Sequence, residues 1–362
     1  MQNAKITIIQ PFTAHYRKDF FQGISQYFHL NLISIDPPKD IDGFQKIIGF
    51  NEIQLKNYRL GSLVWFNPFH KQIRECTVLI LTWQPKWLTI YFILFLKFLL
   101  KPKVMIHTHG TSVRHGFHPR SLRDQIKLFL FNRADHIIFY TENELKQLSP
   151  YLLKPKLFYV NNTLNVEEIQ KIKFGIKESP STLKNKYGIT SSRVIIYCAR
   201  FIKDRRPELL VELIEKMEHE DVSFIIIGSG QCKPDFSVYS SVFDFDALYD
   251  DKTKAELFYI ADFSFQPAWS GLSVVESMAN GVPYVTLKKS SNILQCVEYG
   301  YIKNGSNGFI AKNLSEVNHI LLDTNNVKLS QLKLNCINYA KKELQLSSMI
   351  DRFSENITLI NS

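Results

Sequence analysis

The feature that most narrows the fold of this chain is an alternation that runs twice. Short, near-continuous apolar runs alternate with amphipathic stretches. In the first half, Ile6 to Ile9, Leu30 to Ile35, Cys76 to Leu81, Val104 to His107 and His136 to Tyr140 read as strands, with helices at Arg17 to Phe28, Trp87 to Leu100 and about Leu122 to Asn132. Strands that are apolar on both faces predict a parallel sheet covered on both sides. The pattern restarts with a strand at Val194 to Tyr197 and a helix at Pro207 to His219. A strand at Ser223 to Ile227, a helix near Thr253 to Tyr259 and a strand at Phe263 to Gln266 follow. Each half therefore reads as a doubly wound α/β unit.

A chain of 362 residues suits two such domains rather than one. The expected division is a first domain at 1–166, a charged linker at 167–190, a second domain at 191–335 and a helical tail at 336–362 that packs back on the first domain. Hydrophobic residues make up 45% and charged residues 22%, which excludes a disordered chain. The 5 cysteines are odd in number, scattered and without a Cys-x-x-Cys pair. That argues for a reducing compartment and against a disulfide framework or structural zinc. No secretory signal is evident at the N-terminus, and the longest apolar stretch, Trp87 to Leu100, is too short to span a bilayer. A cytoplasmic protein is expected.

Net charge is 44 − 34 = +10. Lys97 to Arg133 carries eight basic residues against Asp124 alone. Such a surface suits anionic lipid or a diphosphate-linked substrate. The Trp87–Leu100 helix beside it reads as a buried flanking helix or as a segment that rests on a membrane. Nucleic acid is disfavoured, since no binding motif or aromatic platform accompanies the charge.

The stretch with most chemical content is Pro267 to Pro283. It reads as a strand end, a tight turn at Ser270-Gly271-Leu272-Ser273, a short helix, and a Gly281/Pro283 stop. Such a turn aims backbone N–H groups and a helix N-terminus at one point, where phosphate binds well. Glu276 lies in the same helix, and Ser273-x-x-Glu276 also fits a capping box. Arg200 and Arg205 follow the first strand of the second unit. A guanidinium fork holds diphosphate oxygens bidentately, although a solvated basic loop is the stronger reading of those residues alone. Gly228-Ser229-Gly230 ends a buried strand and is a phosphate loop or a plain turn. His109, and the His15-Tyr16-Arg17 loop after the first strand, sit at strand ends of the first unit. Asp244-Phe245-Asp246 has Asp-x-Asp form but reads better as two acids in a loop, so no metal is expected.

Glu276-Ser277-Met278-Ala279-Asn280-Gly281-Val282-Pro283 resembles the Glu-Ala-Met-Ala-x-Gly-x-Pro signature of retaining family-four glycosyltransferases, the glycosyl transferases group 1. The resemblance implies the GT-B fold, two Rossmann-like domains facing a central cleft. It implies a sugar moved from a UDP- or GDP-sugar to a glycan or lipid-linked glycan, with retention, in bacterial surface polysaccharide synthesis. Neither metal nor cofactor is implied. In this family Arg and Lys of Gly-Arg-x-x-x-x-Lys neutralise the leaving diphosphate; here Ala199 replaces the Gly and Arg205 the Lys. Glu276 would hold the ribose hydroxyls, and Gly228, Gly230, Leu248 and Ser270 to Ser273 would surround the donor. His109 resembles the family histidine that meets the donor sugar, while His15, Tyr16 and Arg17 would face the acceptor. The chain departs from the pattern at Ala268, where the family carries a second Glu. Two other classes stay open: a nucleotide-sugar epimerase of the same fold, and a non-catalytic nucleotide or carbohydrate binder.

Overall fold

A computed structural model describes residues 4–35 and 51–361. The chain divides into two compact units, residues 1–162 with 346–362, and residues 163–345.

The first unit holds strands β1 (Lys5–Gln10), β2 (His29–Ser34), β3 (Asn51–Gln54), β4 (Asn57–Leu60), β5 (Leu63–Phe66), β6 (Val78–Thr82), β7 (Lys103–Thr108), β8 (His136–Phe139) and β9 (Lys156–Tyr159). Its helices are α1 (Lys18–Tyr27), α2 (Lys71–Arg74), α3 (Leu88–Phe95), α4 (Leu122–Phe131) and α5 (Glu142–Leu148). The sheet is parallel in the order β3-β2-β1-β6-β7-β8-β9, with β4 and β5 as a separate hairpin. Alternate residues of each strand feed opposite cores, as the two-residue period requires. Ile9, Leu79, Leu81 and Ile106 face one; Ile6, Ile8, Val78 and Met105 face the other.

The second unit begins with α6 (Val166–Phe174) and α7 (Pro180–Lys186), which fill the segment read as a linker. Asn165 and Ser179 cap these helices by accepting from Glu168 N–H and Thr182 N–H. The helices had no strong apolar period because each buries only a few side chains. Strands β10 (Arg193–Cys198), β11 (Val222–Ile227), β12 (Val242–Asp244), β13 (Phe263–Phe265), β14 (Tyr284–Leu287) and β15 (Gly308–Ala311) follow. They interleave with α8 (Pro207–Lys216), α9 (Asp251–Ile260), α10 (Leu272–Ala279), α11 (Leu314–Asp323) and α12 (Asn326–Glu343). The parallel sheet runs β12-β11-β10-β13-β14-β15. That is the doubly wound order, whose direction of winding reverses between β10 and β13.

The expected tail divides in two. Helix α12 belongs to the second unit, and α13 (Leu346–Asn361) belongs to the first. Helix α13 lies against α1, where Phe353 meets Phe20 edge to face at 5.2 Å. Gly23 permits the approach, because a Cβ there would stand 2.3 Å from Ile350.

Candidate functional site

A ligand in a doubly wound sheet sits outside the C-terminal strand ends where the winding reverses. In the second unit those are the ends of β10 and β13, so the loops at 199–206 and 266–271 matter most. Arg200 is exposed, and among the described residues its guanidinium makes no hydrogen bond or ion pair. Its carbonyl accepts from Arg205 Nη1 at 3.0 Å. Arg205 Nε is buried without a partner among the described residues, so one donor of that fork is unused. Arg206 is different. It adopts left-handed backbone (φ 55°), pairs with Glu208 and donates to Asn292 O at 2.7 Å.

Gly228 and Gly230 lock the β10 loop to the β11 loop. Both have positive φ, 154° and 147°, and added Cβ atoms would stand 2.1 Å from Ala199 O and 2.3 Å from Phe201 O. Only Gly allows that approach. Phe201 N–H donates to Ser229 O at 2.8 Å across the junction.

The turn before α10 is held from beneath. Trp269 sits in left-handed backbone (φ 56°), a costly place for an aromatic residue. Gln266 Nε2 donates to Ala268 O at 2.8 Å and Trp269 O at 2.9 Å. Gln295 Oε1 accepts from Ser270 N–H at 2.8 Å. Ser270 is fully buried, with its hydroxyl 3.1 Å from Thr286 Oγ1, so its side chain fixes the loop and does not reach solvent. Ala268 is fully buried too, so this position presents no side chain to solvent. The N–H groups of Gly271, Leu272 and Ser273 find no acceptor among the described residues, and no side chain caps the helix. An uncapped helix N-terminus with three open donors is suited to an anion.

The capping-box reading of Ser273-x-x-Glu276 does not hold. Ser273 Oγ donates to Gln266 Oε1 at 3.0 Å and lies 3.1 Å from Tyr284 Oη. Glu276 turns instead to Lys254 of α9, Oε1 to Nζ 2.8 Å, and its Oε2 lies 3.6 Å from Cys198 Sγ. Burial opposes the Lys254 charge, but the Glu276 carboxylate outweighs it and holds the ammonium above its ordinary range. Burial, then Glu276, push the Cys198 thiol well up, so it stays protonated. Leu248 is half-buried against the core under β10 and β11. Asp244 and Asp246 both pair with Lys233, the former at 2.8 Å, so the Asp-x-Asp form marks a lysine clamp.

In the first unit the winding reverses between β1 and β6. A cavity of ≈ 170 Å³ lies there, lined by Gln10, Tyr16, Arg17, Gln84, His107 and His109 among others. His15 is exposed and does not line it. Tyr140 lies between two imidazoles, stacked on His107 at 4.2 Å and on His109 at 3.9 Å. Arg17 stands 5.6 Å from the Tyr140 ring and donates to Asn162 at 2.5 Å. Burial, then the Arg17 charge, hold the His107 imidazole well below its ordinary value, and it is neutral near pH 7. The same two causes push His109 down to about 4. His109 is exposed, whereas His107 is buried.

Sequence reasoning missed Lys254, Gln266 and Gln295. Lys254 had no local signal, since its partner is on another helix. A glutamine ending the apolar run Phe263-Ser264-Phe265 was the available sign of a buried amide that anchors a loop.

Residues 181–343 match the sequence profile of the family described as Glycosyl transferases group 1. No curated protein sequence matches the chain. Among solved structures, a glycosyltransferase from Rickettsia africae is similar at TM-score 0.71 and 16% identity, over 99% of each chain. HepE from Anabaena, in complex with UDP and glucose, is similar at TM-score 0.69 and 15% identity, over 99% of this chain and 100% of that one. WaaG, a glycosyltransferase involved in lipopolysaccharide biosynthesis, is similar at TM-score 0.64 and 14% identity, over 98% and 99%. At these identities the likeness concerns the fold, which is GT-B: two Rossmann-like units in one chain.

Proposed function

We propose that this chain is a glycosyltransferase, its residues 181–343 matching the group 1 family, and that it moves a sugar from a UDP- or GDP-sugar to a glycan or lipid-linked glycan. The observation that carries this is the strand-end site of the second unit. Arg200 and Arg205 follow β10, the three open N–H groups of Gly271 to Ser273 begin α10 after β13, and Glu276 of α10 faces Cys198 at the end of β10; these are the strand ends where a doubly wound sheet takes its ligand. UDP is bound in HepE, a protein of the same fold, and that supports a nucleotide donor.

In this reading the diphosphate lies on the α10 N-terminus and the two guanidinium groups. As the glycosidic bond breaks, charge grows on the leaving phosphate, and donors already in place stabilise it. Glu276 holds the ribose, and the buried amides fix the turn beforehand. His109 meets the donor sugar; Tyr16 and Arg17, with His15 nearby, serve the acceptor. The reaction retains configuration, with the leaving phosphate helping to take the acceptor proton, and needs neither metal nor cofactor. Surface polysaccharide synthesis, as for WaaG, is the matching setting.

A membrane-bound acceptor fits a second feature. Among the described residues no helix is long and apolar enough to cross a bilayer. The Trp87–Leu100 stretch forms the eight-residue α3, whose inner residues Ile90, Ile93 and Leu94 are buried, and a short 3-10 turn at Lys97–Leu99. Exposed apolar residues gather instead at its end and on α4: Phe95 (56% exposed), Phe98 (73%), Leu122 (73%), Ile126 (43%) and Phe129 (54%). Arg133 joins them, 5.7 Å from the Phe95 ring and 5.8 Å from Phe129. This face rests on the cytoplasmic surface of an anionic membrane in our reading.

The test is incubation with UDP- and GDP-sugars, with and without glycan acceptors, followed by assay for free nucleoside diphosphate and anomeric configuration. Release that depends on acceptor supports transfer. Interconversion of donors supports an epimerase, and binding without turnover supports a binder; either would replace the proposal.

A further inference from the structure

Glu276 is not free to find the ribose by itself. It is largely buried, with 14% of its side chain exposed, and each oxygen has a neighbour. Oε1 lies 2.8 Å from Lys254 Nζ, and Oε2 faces the Cys198 thiol at 3.6 Å. The two contacts differ in strength. A charge-assisted ammonium–carboxylate bond is strong and short, whereas a thiol at that distance is a weak donor. Lys254 is itself placed by α9, whose flanking residues Ala255, Leu257 and Phe258 are buried in the core. Its other anionic contact, Asp251 at 3.4 Å, sits on an exposed side chain in the same helix.

We infer that Lys254 is a positioning residue that sets ribose recognition. It ties down one oxygen of Glu276 and leaves the other, covered only by a protonated thiol, to be taken over by the ribose hydroxyls. The inference rests on the donor-site reading above and adds to it a residue outside the signature. Its physical consequence is selectivity. A carboxylate held in one orientation discriminates a hydroxyl-bearing sugar ring from its deoxy analogue, because an unmet, partly buried carboxylate oxygen is costly. Without Lys254 the carboxylate rotates or swings to solvent, and the discrimination goes while phosphate binding stays.

The test is calorimetric binding of UDP, 2′-deoxy-UDP and inorganic pyrophosphate, with the GDP pair run in parallel, to the full-length wild type, Lys254→Met, Lys254→Arg and Glu276→Gln. The wild type should prefer the ribonucleotide by roughly tenfold or more, the loss expected for a hydrogen bond to a charged group. Lys254→Met should bring that ratio to the value of Glu276→Gln, and the double variant should lose no more. Pyrophosphate affinity should stay within about twofold throughout, and Lys254→Arg should restore most of the preference. Equal loss of all three ligands in Lys254→Met would show a purely structural lysine and overturn the inference. So would an unchanged ratio in a folded Lys254→Met, or a wild type that binds the nucleotides without discrimination. A wild type that binds no nucleoside diphosphate at all would remove the donor-site reading itself.

Discussion

At the scale of residues, the charges of the second unit divide into those that hold the structure and those that are open. Arg206, Lys233 and Lys254 are paired, whereas the Arg200 guanidinium has no partner among the described residues. Arg200→Ala should therefore leave the melting temperature nearly unchanged, as exposed substitutions do. It should lower turnover by about 100-fold or more, the size seen when a preorganised donor to developing charge is removed. A thermal melt and a steady-state assay on one preparation check both halves. His109→Ala should reduce kcat more than nucleotide affinity; equal loss of both would count against its place beside the sugar. His107 gives a pH signature. Its folded pKa lies well below the ordinary 6.5, so below that value the unfolded chain binds more protons. Stability is then full above about 6.5 and falls as pH drops below it, by up to about 1.4 kcal/mol per pH unit. Denaturant midpoints should fall less steeply from pH 7 to 5 in His107→Gln than in the wild type, with His109 keeping its own share of the dependence. Part of this was legible in the sequence. Arg200, Arg205, Glu276 and the Gly271 turn follow strand ends, and strand ends can be read from apolar runs. Lys254 and Gln295 could not be read, because their roles come from partners far along the chain. Ser270 looked like a ligand group because sequence shows that a loop residue is polar, not which way it points.

At the scale of elements, the two loops at the β10 and β11 ends behave as one piece. Gly228→Ala would press a Cβ to 2.1 Å of Ala199 O, backbone against which nothing flexible can yield. The loop carrying Arg200 must move, so we expect a loss of more than about 2 kcal/mol of stability, in line with strained sites and overpacking, together with weaker donor binding. Urea unfolding and nucleotide titration of that variant check the pair. The apolar face at α4 predicts sedimentation with vesicles rich in phosphatidylglycerol and little with phosphatidylcholine. Phe98→Ser with Phe129→Ser should abolish it while transfer to a soluble acceptor persists. Elements with long apolar periods were readable, and those without were not. Strands β12, β14 and β15 are three or four residues long, and β4 is mostly exposed. The Trp87–Leu100 run misled because apolarity continues past the point where α3 ends and a short 3-10 turn at Lys97–Leu99 begins.

At the scale of the whole molecule, the chain leaves its first unit after Asn162 and returns to it at Leu346. Helix α13 completes the first unit's core with Met349, Phe353, Ile357 and Ile360, all buried. Each such side chain contributes about 1.5–3 kcal/mol, so the four together rival the usual stability of a domain. Deletion of residues 346–361 should leave the first unit unfolded or insoluble, visible as rapid proteolysis before Asn162. The doubling of the α/β pattern was the clearest message of the sequence, and it has become two doubly wound sheets. What α13 belongs to was beyond local reading, since an amphipathic helix does not name the face it covers. The account as a whole stands on the strand-end site of the second unit. The most direct measurement is a crystal structure of the protein soaked with UDP or GDP. The diphosphate should lie within hydrogen-bond reach of the Gly271 to Ser273 N–H groups and of Arg200 and Arg205, with ribose on Glu276. A diphosphate bound elsewhere, with that helix N-terminus filled by the protein's own side chains, would contradict it.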